Sequence, residues 1–145
     1  MKKLLAISIL ILLISCKENT THIDMDLKCP TVAREGSNTQ LVGKWKLVQG
    51  KTVFNFPRTF DYSCNEVIYD FRLNGILIVS ADIKESIGAS PGEHTYEFIR
   101  KPVFEGGKDF TLKINDGTSS CKISNGLMTL DDSPLDGPIL YFARM

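Results

Sequence analysis

The chain is poor in the residues that catalysis draws on. Its 145 residues include two histidines, one tryptophan and four cysteines, and the formal net charge is zero. There is no Gly-x-Ser-x-Gly elbow, no phosphate-cradling glycine loop and no His-Glu-x-x-His helix. Nothing in the chain prepares a nucleophile or a base. The expectation is a protein that is not an enzyme and needs no cofactor. A balanced charge leaves no electrostatic footprint for nucleic acid. Metal binding has little to build on. Of the histidines, His22 lies near the amino terminus, and His94 and Glu97 fall on opposite faces of one extended segment. Asp131, Asp132 and Asp136 share a stretch with Pro134, Gly137 and Pro138. That composition favours a solvated turn over a calcium loop, and no metal site is expected.

Long apolar runs are missing too. The longest, Leu4 to Ile14, falls short of the ~20 residues a membrane-spanning helix needs. It follows Lys2 and Lys3 and precedes Ser15, the order of a secretory signal peptide. The tetrapeptide Leu13-Ile14-Ser15-Cys16 resembles the lipobox of bacterial lipoproteins. That resemblance implies cleavage before Cys16 and acylation of its thiol and new amino terminus, with the membrane as partner through the anchor. Lipoproteins kept at the inner membrane of enteric bacteria typically carry aspartate where this chain has Lys17, which implies the outer membrane of a diderm envelope. Two or more acyl chains hold a protein firmly at a bilayer, where one does not. Residues 1–15 are therefore expected as leader, 16–38 as lipidated cysteine and flexible tether, and 39–145 as one folded domain. Lys2 and Lys3 leave with the leader, so the mature chain is slightly acidic.

Export suits disulfides. With Cys16 taken by lipid, Cys29, Cys64 and Cys121 remain, which predicts one bridge and one spare thiol. Cys64 with Cys121 is the favoured pair, because strand direction puts both toward one end of a meander. Cys29 with Cys64 is the alternative.

Helical periodicity is absent after the leader, and period-two alternation replaces it. Val67, Tyr69 and Phe71 oppose Glu66, Asp70 and Arg72, while Phe110, Leu112 and Ile114 oppose Thr111 and Lys113. Such patterns describe strands with one buried and one solvated face. Asn74-Gly75, Asp116-Gly117 and Asn125-Gly126 separate strand pairs and predict type I′ hairpins. The segments Leu41–Gln49, Val67–Leu73, Ile76–Ile83, His94–Arg100, Phe110–Ile114, Ser119–Ser124, Leu127–Leu130 and Ile139–Met145 make about eight strands. The fold class is all-β, and eight strands suffice to close an antiparallel up-and-down meander into a barrel.

Three stretches carry a family resemblance. Leu41-Val42-Gly43-Lys44-Trp45-Lys46-Leu47-Val48 resembles the Gly-x-Trp opening strand of lipocalins and of lipocalin-like lipoproteins from Bacteroidetes. Tyr141-Phe142-Ala143-Arg144-Met145 resembles their last strand, and Tyr69-Asp70-Phe71-Arg72-Leu73-Asn74-Gly75 their second strand and turn. The resemblance implies an eight-stranded barrel that holds a small hydrophobic ligand. Closure would make the first and last strands neighbours. Trp45 would then plug the closed end, Gly43 would let the backbone turn inward, and Arg144 would lie across the indole as a cation–π partner.

The connection from Gly50 to Ser63 holds Phe54, Phe56, Phe60 and Tyr62. Long connections of this kind are often functional. Two readings stay open. In the first, Tyr69, Phe71, Tyr96, Phe98 and Phe110 line an internal ligand site with Phe54, Phe56 and Phe60 at its mouth. In the second, these rings fill the barrel, and the domain is an interaction module that contacts protein or glycan through its loops.

Overall fold

The structure is a computed structural model that describes residues 20–23, 25–101 and 109–145. The expected leader and lipidation site, residues 1–15 and Cys16, lie outside the described residues. Among the described residues, eleven strands form in chain order. They are β1 (Thr20–His22), β2 (Val32–Arg34), β3 (Gly43–Thr52), β4 (Arg58–Asp61), β5 (Ile68–Phe71), β6 (Ile76–Ser80), β7 (Gly92–Ile99), β8 (Phe110–Ile114), β9 (Gly117–Ser124), β10 (Leu127–Asp131) and β11 (Ile139–Arg144). There is no α-helix among these residues, and one 3-10 turn covers Ser133–Leu135.

Each strand from β5 to β11 pairs antiparallel with the next, and β11 pairs back onto β3 to close the ring. On its other side β3 meets β5 over Gly43–Lys46 and β4 over Gln49–Thr52. The position beside β3 is thus filled by two short pieces. Two bonds bridge the gap between them, Leu47 N–H to the Val67 carbonyl at 2.8 Å and Tyr62 N–H to the Val48 carbonyl at 2.9 Å. The result is a closed eight-stranded antiparallel up-and-down barrel, consistent with a lipocalin-like fold. Closure of β11 onto β3 removes the long unpaired edges that make open sheets prone to aggregate, and the short β4 pairs with β3 on one side.

The core is the inward face of these strands. Trp45, Leu47, Tyr69, Phe71, Leu77, Leu112, Met128 and Phe142 are all buried. Alternation places them there: every second residue of β5 and β6 points inward, as do Trp45 and Leu47 of β3 before a bulge shifts its register against β11. Removing apolar surface from water supplies the driving force, about 25 cal/mol per Å².

Turn chemistry departs from the expected pattern at two of three hairpins. Asn125 and Gly126, at φ 51° and 75°, form the expected two-residue turn with both angles positive. At the β5–β6 hairpin only Gly75 has a positive φ, 76°, and its N–H bonds the Arg72 carbonyl at 3.2 Å. At β8–β9 the turn residues are Asn115 and Asp116, with Asn115 at φ 51°, and Gly117 already pairs with Ile114. Asparagine tolerates the left-handed region because its side chain bonds locally. The Asn115 side-chain oxygen also reaches across to β7, where it accepts from Thr95 N–H at 3.2 Å.

The expected flexible tether is a correction. The described residues between Thr20 and Asn38 are packed on the barrel. β1 and β2 form a small antiparallel ribbon, and Ile23 and Ala33 join Val48 and Ala143 in a second buried cluster on the outer face of β3 and β11. That face is apolar and would otherwise meet water. Ile23, Met25 and Leu27 alternate with acidic residues, a period-two signal strong enough to mark a covering segment.

The favoured disulfide is corrected as well. Cys29 bonds Cys64, with Cα atoms 5.1 Å apart, and Cys121 is free and buried. Cys121 points into the barrel on β9, where burial pushes its thiol up to about 12. The covering segment places Cys29 beside Ser63, whose hydroxyl accepts its N–H at 3.0 Å. That apposition satisfies the Cα separation a bridge needs.

Candidate functional site

The two barrel ends differ. At the end where β3 begins, residues 36–41 cross the opening. Trp45 donates its indole N–H to the Leu41 carbonyl at 2.7 Å, and the Arg144 guanidinium lies 4.3 Å from the indole centroid. The Nη2 of Arg144 donates to the carbonyls of Ser37 at 3.1 Å and Gln40 at 2.8 Å. Burial disfavours its charge and lowers its pKa from the usual value. Gly36 is required here by close approach, since a Cβ would sit 2.9 Å from the Arg144 Nε. Gly43 adopts φ +130°, which L side chains rarely enter, and this lets the chain swing from the plug into β3.

The other end is open. A cleft of about 440 Å³ lies among the loop of residues 81–91, the β8–β9 turn and the segment between β10 and β11. Its floor is Tyr69, Leu130 and Leu140, and its rim includes Ala89, His94, Asn115, Ser119 and Asp132. The Tyr69 hydroxyl accepts the Ala89 N–H at 2.8 Å, which ties the 81–91 loop to the barrel floor. Burial pushes the Tyr69 hydroxyl up to about 12, so it stays a neutral donor and acceptor. Ile87 N–H is held by the Tyr62 hydroxyl at 3.0 Å. Two buried tyrosines therefore fix the loop that frames the cleft.

His94 is committed on both ring nitrogens. Asn115 Nδ2 donates to its Nδ1 at 2.9 Å, which assigns the proton to Nε2, 2.7 Å from the Ser90 carbonyl. Asp132 is the one rim group under electrostatic stress. Burial raises its pKa, the Ser119 hydroxyl bond opposes the rise, and the Asp131 charge adds to it. Its Oδ1 is buried with no hydrogen-bond partner. Among the described residues no three His, Cys, Asp or Glu side chains converge to hold a metal.

The structure distributes the expected ligand-lining residues widely. Tyr69 alone among them lines the mouth cleft. Tyr69 packs edge-on against Phe142 at 4.8 Å, Phe71 against Tyr96 at 5.0 Å and Phe98 against Phe110 at 5.1 Å. These rings contact one another and fill the barrel. Phe110 also borders a second cleft of about 360 Å³ beside Asn38, Thr39 and Cys121. The aromatic connection is a hairpin, β3–β4, rather than a loop. Phe60 stacks on Tyr62 and leans on the core, while Phe54 and Phe56 are 56% and 77% exposed at the hairpin tip. The 81–91 loop, rich in Ser, Gly and Pro, frames the mouth instead. Its Ile83, Ile87 and Ala89, packed against the core, are the sequence signal that could have identified it.

No family model, curated protein or solved structure matches this chain.

Proposed function

We propose that the protein is a lipid-anchored barrel of the cell envelope, held through Cys16 at the outer membrane, that binds a small amphiphilic molecule at its mouth rather than catalysing a reaction. The anchor rests on the Leu13-Ile14-Ser15-Cys16 lipobox after a signal-peptide h-region. The observation that carries ligand binding is the mouth cleft. Its volume of about 440 Å³ falls in the range of small-molecule sites, roughly 300–1,000 Å³, where apolar walls meet a few placed polar groups. Because the barrel below is filled by its own rings, the occupant is short, with its apolar part on Leu130 and Leu140 and its polar part toward Asn115 and Ser119.

The test is a dye-displacement titration of the mature domain with short-chain amphiphiles, run beside thermal unfolding. A ligand at a hundred times its Kd stabilises by ~2.7 kcal/mol. Ser119→Trp, which places a bulky ring in the cleft, should abolish both signals. Equal binding to wild type and variant would remove the site.

The exposed Phe54 and Phe56 favour a second reading, in which the hairpin tip contacts a protein or glycan. Double substitution to serine should then weaken that contact and leave dye binding at the mouth unchanged.

A further inference from the structure

The chain leaves the barrel at its closed end. Thr20 pairs with Arg34, and the Arg34 carbonyl abuts the β9–β10 turn at Gly126, on the same end as the Trp45 plug. Four Cα steps separate Cys16 from Thr20, which span at most ~14 Å. The ten residues of β3 advance about 33 Å along the strand, or roughly 25 Å along the axis of a tilted barrel. A lipid on Cys16 is therefore within reach of the closed end and out of reach of the mouth.

Charge follows the same axis. Among the described residues, the closed end exposes Lys44, Arg72, Arg100 and Lys101. Its acidic groups among the described residues are Glu35, Asp70, which Arg72 engages at 3.5 Å, and Asp109, which accepts from Ser120. Among the described residues, the mouth exposes Asp82, Glu85, Glu93, Asp116 and Asp136 against two exposed cations, Lys84 in the 81–91 loop and Arg58 at the start of β4. Leu73, at the tip of the β5–β6 turn on the closed end, is 91% exposed. A protruding leucine on an end that also exposes lysine and arginine matches the chemistry of an anionic headgroup layer, where each cation near the surface contributes ~1 kcal/mol, about fivefold in residence.

We infer that the barrel stands closed end down on an anionic phospholipid surface, with Leu73, Lys44, Arg72 and Lys101 against the headgroups and the mouth and Phe54–Phe56 hairpin facing away. This orientation rests on the anchor reading above. It directs the cleft toward the aqueous side, so its occupant exchanges with water-borne carriers or partners rather than with the bilayer beneath.

The full-length protein, processed from its own leader, can be reconstituted in vesicles of phosphatidylethanolamine and phosphatidylglycerol. Cys29 and Cys64 are bridged and Cys121 is buried, so a cysteine introduced as Leu73→Cys or Phe56→Cys takes a bimane label selectively. Headgroup-level spin-labelled lipid should quench the Leu73→Cys label and leave the Phe56→Cys label bright. Lys44→Gln with Lys101→Gln should lower the docked-to-undocked ratio about fivefold per cation removed, as should raised salt in direction. An unquenched Leu73→Cys label or a quenched Phe56→Cys label overturns the orientation. Mass spectrometry of the same samples separates the two claims. An unacylated Cys16 defeats the anchor, whereas an acylated chain with an unquenched Leu73→Cys label defeats the orientation alone.

Discussion

Replacing Arg144 with alanine should open the closed end of the barrel. The guanidinium donates to two backbone carbonyls, at 3.1 and 2.8 Å, and stacks 4.3 Å from the Trp45 indole centroid. Charge-assisted bonds contribute about 1.5–3 kcal/mol each, and a partly desolvated cation–π contact about 0.5–2 kcal/mol. Opposing these are the cost of burying the charge and an Nε that lacks a partner. The expected net loss is about 2–4 kcal/mol, because the alanine variant also leaves the Ser37 and Gln40 carbonyls unpaired. Lysine should recover little, since an ammonium cannot stack on the indole and span both carbonyls as a planar fork does. Urea unfolding followed by far-ultraviolet circular dichroism measures the loss in Arg144→Ala, Trp45→Phe and the double variant. A coupling near 1 kcal/mol is expected for side chains in contact. A coupling indistinguishable from zero, or an Arg144→Ala loss below about 0.5 kcal/mol, the level of an ordinary surface change, would refute this account of the plug.

Three further outcomes follow from the same structure. Cys29→Ser should cost about 3–4 kcal/mol, the loop-closure value for a bridge spanning 35 residues, and non-reducing peptide mapping of the wild type should recover a Cys29–Cys64 peptide. Asp132→Asn should stabilise the domain at neutral pH. The folded pKa of Asp132 is raised by burial, so stability is greatest below the unfolded value near 3.9 and falls as pH rises through the folded one; the advantage of the variant should vanish in melts below that range. Asp61 has the opposite sign. Burial raises its pKa, but the Ser63 hydroxyl and the N–H groups of Lys28 and Ser63 outweigh it and hold the carboxyl below the usual range. Its contribution is present above the unfolded pKa and lost as pH falls through the folded one, so Asp61→Asn should be destabilising at pH 7 and converge with wild type in acid.

The barrel was legible because period-two alternation and hairpin spacing are local. Tyr69 and Phe71 could be assigned inward from their neighbours Asp70 and Arg72 alone, and closure followed from the number of strands. The neighbouring of Trp45 and Arg144 could be argued from the same count, since an up-and-down barrel must join its first and last strands.

What occupied the covering segment, the bridge and the mouth depended on contacts distant in the chain. Ile23 and Ala33 pack only because Val48 and Ala143 form an apolar outer face, which no window of sequence contains. Cys29 reaches Cys64 because that packing carries it there, and Cys121 stays free because β9 turns it inward. Four phenylalanines and tyrosines read as one loop separate into opposite fates. β3 continues past the barrel wall into a hairpin, so Phe60 and Tyr62 face the core while Phe54 and Phe56 reach solvent. The mouth cleft is the clearest case: Tyr69, His94, Ser119 and Asp132 come from four different stretches, and only barrel closure sets them around one opening. Alternation is a property of neighbours along the chain and can be read from them. A surface to be covered, a bridge or a cleft is a property of neighbours in space, and those exist only once the ring has closed.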